Sequence, residues 1–229
     1  MNLEQAIALH RAGRLDEAAE AYREILRTEP ENADGLYGLG TVLMQQQDPE
    51  KAADLIGRAA ALAPHSPEIA FNYAMAIEQQ GHAQPAAAAY LRAASTAPQQ
   101  TDFIVMICRK LMQLGVPQPA YDLLKTVQPR SASVETLTAQ AQAASGDWPG
   151  AVEKLRQLAS NEIVDPGVWR EIATAAARIQ DFDAALGAYS RYLSEGDPLD
   201  ADYLDYADLL MAARDLDTAE SVLTDHQIG

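Results

Sequence analysis

Residues 67–98 read PEIAFNYAMAIEQQGHAQPAAAAYLRAASTAP, and the fold follows from this stretch. Ser66 offers an N-cap hydroxyl, Pro67 suits a first helical position because its missing N–H would be unpaired there, and Glu68 adds a first-turn acid. Gly81 closes that helix, Pro85 opens a second and Pro98 stops it. Ala70, Tyr73, Ala74 and Ile77 recur at helical spacing, as do Ala86, Tyr90, Ala93 and Ala94. Two short amphipathic helices cannot bury such stripes alone. The hairpin therefore needs copies of itself on either side.

The copies are present. A shift of 34 residues carries Pro30 to Pro64 to Pro98 and Gly13 to Gln47 to Gly81 to Gly115. After a slip of three residues the frame resumes, with Gly146, Gln180 and Arg214 at the turn. The small residue where paired helices cross runs Ala6, Gly40, Ala74, Cys108, Ala139, Ala173, Ala207. The large one in the second helix runs Tyr22, Ile56, Tyr90, Leu124, Leu155, Tyr189, Leu223. Aspartates close before prolines mark further starts at Asp48-Pro49, Asp147-Trp148-Pro149 and Asp165-Pro166.

A 34-residue helix-turn-helix with this pattern resembles the tetratricopeptide repeat over essentially the whole chain. The resemblance implies an all-α, right-handed superhelical solenoid of about seven repeats: 1–32, 33–66, 67–100, 101–131, 132–165, 166–199 and 200–229. The aromatic expected early in the first helix of each repeat occurs only as Trp169 and Tyr203. The one break in period, at 128–133, divides the chain into halves 1–131 and 132–229. Pro129 forbids simple continuation of the preceding helix, so that helix should end early, with Ser131 or Ser133 capping the next at a changed angle.

Composition bounds the chemistry. The 229 residues carry a net charge of −16, which argues against nucleic acid because phosphate binding needs clustered Lys and Arg. Residues 132–229 hold 18 acids and 6 bases, so these acidic C-terminal repeats suggest a basic partner. A single cysteine, Cys108, excludes an internal disulfide framework and reads as a buried small residue. His10, His65, His82 and His226 fall in different repeats without metal-ligand spacing, and no phosphate loop or nucleophile elbow occurs. No catalytic residue, cofactor or metal is expected. The N-terminus enters an amphipathic helix directly and no apolar run reaches the roughly 20 residues of a membrane span, so a cytoplasmic protein without membrane insertion is expected.

The resemblance also implies a concave groove lined by the first helix of each repeat. Mapped onto this chain, the groove residues are Leu3, Ile7, Tyr37, Thr41, Met44, Phe71, Asn72, Met75, Val105, Met106, Arg109 and Met112. Four of the six methionines fall here, and residues 103–107 are apolar throughout, which suits a partner protein or peptide with an apolar segment. The family's carboxylate clamp needs Lys and Asn where this chain has Leu3, Ile7, Tyr37 and Thr41. Its asparagine ladder is matched only by Asn72, flanked by Gly38 and Met106. A non-enzymatic scaffold or adaptor that holds a peptide or helix is the leading expectation. One alternative is the substrate-docking array of a larger bacterial sulfotransferase or glycosyltransferase, which the opening MNLEQAIALHRAGRLDEAAEAYREIL resembles. Another is a self-assembling scaffold in which the acidic end of one chain docks on another.

Overall fold

The computed structural model describes residues 2–159 and 165–226. Among the described residues the secondary structure is α-helical, with helices succeeding one another in pairs. Packing divides them into two compact units, Met1–Val116 and Pro117–Gly229. The division falls inside the fourth hairpin, upstream of the irregular segment at 128–133.

The first unit contains three hairpins and one further helix. They are α1 (Leu3–Arg11) with α2 (Leu15–Thr28), α3 (Ala33–Gln45) with α4 (Pro49–Leu62), α5 (Pro67–Gln79) with α6 (Ala83–Thr96), then α7 (Thr101–Gln113). Asn32, Asp48 and Ser66 accept hydrogen bonds from backbone N–H groups of α3, α4 and α5 respectively. Helix α6 begins at Ala83, two residues before the start read from Pro85. Pro85 stays within the first turn, where a helix leaves N–H groups unpaired. The core is continuous through the hairpins, with Ala6, Tyr22, Leu36, Val42 and Ile56 buried together. Full burial of a side chain such as Ile56 stabilises by about 1.5–3 kcal/mol.

The second unit begins with α8 (Pro117–Leu124), only 8 residues long, and continues with α9 (Ala132–Ala144) and α10 (Trp148–Ala159). Two more hairpins follow: α11 (Pro166–Arg178) with α12 (Phe182–Glu195), and α13 (Asp200–Ala212) with α14 (Leu216–Asp225). Between α8 and α9 the Gln128–Pro129 peptide is cis, and Ser131 is the N-cap of α9, accepting from Val134 N at 3.3 Å. Glu135 on α9 holds the segment by accepting from Arg130 at 2.6 Å and from Lys154 on α10 at 3.2 Å.

The turn positions carry the repeat most plainly. Gly13, Gln47, Gly81, Gly115, Gly146, Gln180 and Arg214 all have positive φ, from 60° to 102°. These are the seven positions the spacing picks out, including the three that are not glycine. The helix-crossing positions are likewise buried, and Gly40 shows why they are small: a Cβ there would stand 2.5 Å from Ile56 Cγ1. The large residues of the second helices are buried from Tyr22 through Tyr189, whereas Leu223 on α14 is only half-buried. No described helix lies beyond α14 to cover it.

Candidate functional site

A cleft of about 740 Å³ lies across the first helices of the first three hairpins, α1, α3 and α5. Its floor is apolar, built from Leu3 and Ile7 of α1, Met44 of α3 and Met75 of α5. Tyr22 of α2 also reaches it, because Gly38 on α3 has no side chain to cover the ring. A Cβ on Gly38 would lie 2.3 Å from Tyr22 Cε1. Gly38 is thus required for the buried Tyr22 ring to pack against α3.

The three helices run parallel, and hydrogen bonds join like ends to like. Near the start of α3 and α5, Tyr37 Oη donates to Glu68 Oε1 at 2.9 Å. Asn72 Nδ2 donates both to Tyr37 Oη and to the Glu68 carbonyl oxygen, each at 2.9 Å. At the other ends, Gln45 Nε2 of α3 lies 3.1 Å from His10 Nε2 of α1. The cleft consequently has two unlike walls. Asp34, Glu68 and Asn72 stand on one, and His10, Arg11, Gln45 and Gln79 on the other. Burial, followed by the hydrogen bond to Glu68 and its charge, pushes the Tyr37 phenol well above its ordinary pKa, so it stays a neutral donor.

Seven of the twelve groove residues expected from the sequence meet in this cleft: Leu3, Ile7, Tyr37, Thr41, Met44, Asn72 and Met75. The other five are not among its lining residues. Phe71 turns toward α6 and α7, with its ring centroid 5.3 Å from that of Tyr90 and 5.8 Å from that of Phe103. Met106 on α7 is 41% exposed and Arg109 is exposed, while Val105 and Met112 are half-buried. Within the apolar run at 103–107, Ile104 and Ile107 are core residues. Tyr22, Arg11, Gln45 and Gln79 join the cleft without having been read as groove residues. Glycine at a groove position was the available signal for Tyr22.

In the second unit, acids on the first helices are engaged by the chain itself. Asp202 on α13 is 3% exposed and accepts from Tyr192 Oη at 3.1 Å and Leu199 N at 2.8 Å. Arg170 on α11 pairs with it at 3.2 Å. Glu171 accepts from Gln140 at 2.9 Å. Asp205 and Asp208 remain exposed. Burial pushes the Cys108 thiol up to about 12, so this cysteine is a packing residue at neutral pH. Among the described residues no cluster of three or more His, Cys, Asp or Glu is placed to hold a metal ion. No described helix is long and apolar enough to cross a membrane.

Paired helices in a 34-residue frame are the signature of an all-α repeat solenoid. The Tetratricopeptide repeat profile matches residues 3–67, 37–101 and 136–202. The chain belongs to the tetratricopeptide repeat family. Among solved structures, it is similar to the C-terminal part of a TPR repeat-containing protein from Cytophaga hutchinsonii (15% identity, TM-score 0.71, covering 97% of this chain and 95% of that one). It is also similar to a tetratricopeptide repeat protein from Parabacteroides merdae (17% identity, TM-score 0.62, 98% and 90%). A third likeness is to the structure of Naa15/Naa10 bound to HypK-THB (17% identity, TM-score 0.65), where the match covers 97% of this chain but 36% of that one. These likenesses speak for the fold. No curated protein sequence matches the chain.

Proposed function

We propose that this chain is a protein-interaction scaffold that holds a peptide segment in the cleft across α1, α3 and α5. Membership in a repeat family built for protein contacts supports the general role. One observation carries the particular one: an open cleft of about 740 Å³ in which Leu3, Ile7, Met44 and Met75 line the surface together with polar groups of α1, α3 and α5. Cavities of ~300–1,000 Å³ with apolar floors and few polar groups are the usual shape of binding sites. Methionine suits such a floor because its flexible, polarisable side chain fits apolar groups of varied shape. The role is binding, with no chemistry performed on the partner.

Selection of a randomised library of N-acetylated peptides on the immobilised protein tests this reading. Met44→Glu places a charge on the floor and should lower the affinity of selected peptides by more than about tenfold, while circular dichroism stays that of the native helices. Met106→Glu, outside the cleft, should leave affinity unchanged. Equal binding by wild type and Met44→Glu would remove the cleft as the site.

A further inference from the structure

We infer that the segment held in this cleft presents a lysine or arginine side chain to the wall formed by Asp34, Glu68, Asn72 and Thr41, beside an apolar side chain on the methionine floor. This rests on the cleft being the binding site and adds the chemistry of its occupant. An inventory of hydrogens on that wall leads there. Both amide hydrogens of Asn72 are engaged, one on Tyr37 Oη and one on the Glu68 carbonyl oxygen. That carbonyl can only accept, which fixes the amide with its oxygen on the other side. The Tyr37 hydroxyl hydrogen goes to Glu68 Oε1, and the Thr41 hydroxyl hydrogen to the Gly38 carbonyl at 2.9 Å.

What the wall still offers is therefore acceptors: Glu68 Oε2, the Asp34 carboxylate, Asn72 Oδ1 and a lone pair of Thr41. Neither Asp34 nor Glu68 has an ion pair among the described residues. A carbonyl or carboxylate of a ligand would meet repulsion on this wall. A cationic side chain, carrying several N–H donors and a full charge, satisfies it. Arg11 stands on the opposite wall and so cannot fill the role from within the cleft. The apolar stem of Lys or Arg would lie along Met75, one turn beyond Asn72 on α5, while its head turns toward the carboxylates.

The same N-acetylated library tests this, acetylation having removed the terminal amine as a competing cation. Wild-type protein should enrich Lys or Arg next to an apolar position. The double variant Asp34→Asn/Glu68→Gln should keep the apolar preference, lose the cationic one, and bind wild-type-selected peptides about three- to tenfold more weakly at low salt. Apolar enrichment without Lys or Arg on wild type overturns this inference and leaves the cleft standing. A cationic preference that survives in the double variant also overturns it. If wild type selects nothing beyond what Met44→Glu selects, both the cleft and its occupant are refuted.

Discussion

Both units place carboxylates in the first turn of a hairpin's first helix and engage them differently. In the second unit, Asp202 is buried against Arg170, Tyr192 and the start of its own helix, and Glu171 is held by Gln140. In the first unit, Glu68 is oriented by Tyr37 and keeps one oxygen turned out, and Asp34 has no ion-pair partner among the described residues. Charge count points to the C-terminal repeats as the place for a basic partner. In the first unit, two carboxylates without an ion pair among the described residues, Asp34 and Glu68, line one cleft. A carboxylate recognises a partner only where its own chain has left it something to accept.

The sharpest way to break this contrast is to remove Asp202. If it is an internal clasp, Asp202→Ala leaves the buried Tyr192 hydroxyl without its acceptor and should destabilise the second unit by about 2–3 kcal/mol. Both tryptophans, Trp148 and Trp169, lie in that unit, so the urea midpoint of their fluorescence reads the change directly. Glu68→Gln, by contrast, should leave thermal stability within about 0.5 kcal/mol of wild type.

The first unit's openness must not be mistaken for looseness. Gly40→Ala, which drives a Cβ into Ile56 at 2.5 Å, should cost about 1–3 kcal/mol on thermal unfolding. Combining it with Ile56→Ala should cost less than the two single changes added together, since the second makes room for the first.

The turns give smaller effects of opposite sign. Gly81→Ala should destabilise by about 1 kcal/mol, because φ is 79° there. Gln47→Gly, at φ 61°, should be neutral or stabilise by a few tenths of a kcal/mol.

An effect of similar size is a pH dependence at the link before α9. Burial alone would raise the Glu135 pKa, but hydrogen bonds from Arg130 and Lys154, with their charges, outweigh it and hold the group below its ordinary 4.5. The folded state therefore binds this proton less readily than the unfolded one. The stabilisation is complete above about pH 4.5 and is lost as pH falls through the lower folded value. In Glu135→Gln that part of the acid slope, about 1 kcal/mol at most, should vanish from the urea midpoints.

Much of the fold was legible because it is local. Each turn needs a left-handed residue at one place in 34, and each helix crossing needs a small one, so the frame alone located both. Leu223 departs from its series because no described helix packs beyond α14, which no internal spacing reveals. The cleft was only partly legible. Family positions brought in Leu3, Ile7, Tyr37, Thr41, Met44, Asn72 and Met75, but a position does not say which way a ring turns. Phe71 found a better berth between Tyr90 and Phe103. Nor does sequence show that Tyr37, Asn72 and Glu68, 31 and 35 residues apart across α3 and α5, exhaust one another's donors.

The most direct measurement is the methyl NMR spectrum of the methionines during titration with a peptide selected by the wild-type protein. Met44 and Met75 sit on the floor of the cleft, Met106 and Met112 lie on α7 outside it, and Met211 belongs to α13 of the second unit. Occupation of the cleft should shift and broaden the Met44 and Met75 signals while Met106 and Met211 stay in place. Shifts at Met106 or Met211 with Met44 and Met75 unmoved would put the partner elsewhere and contradict the account.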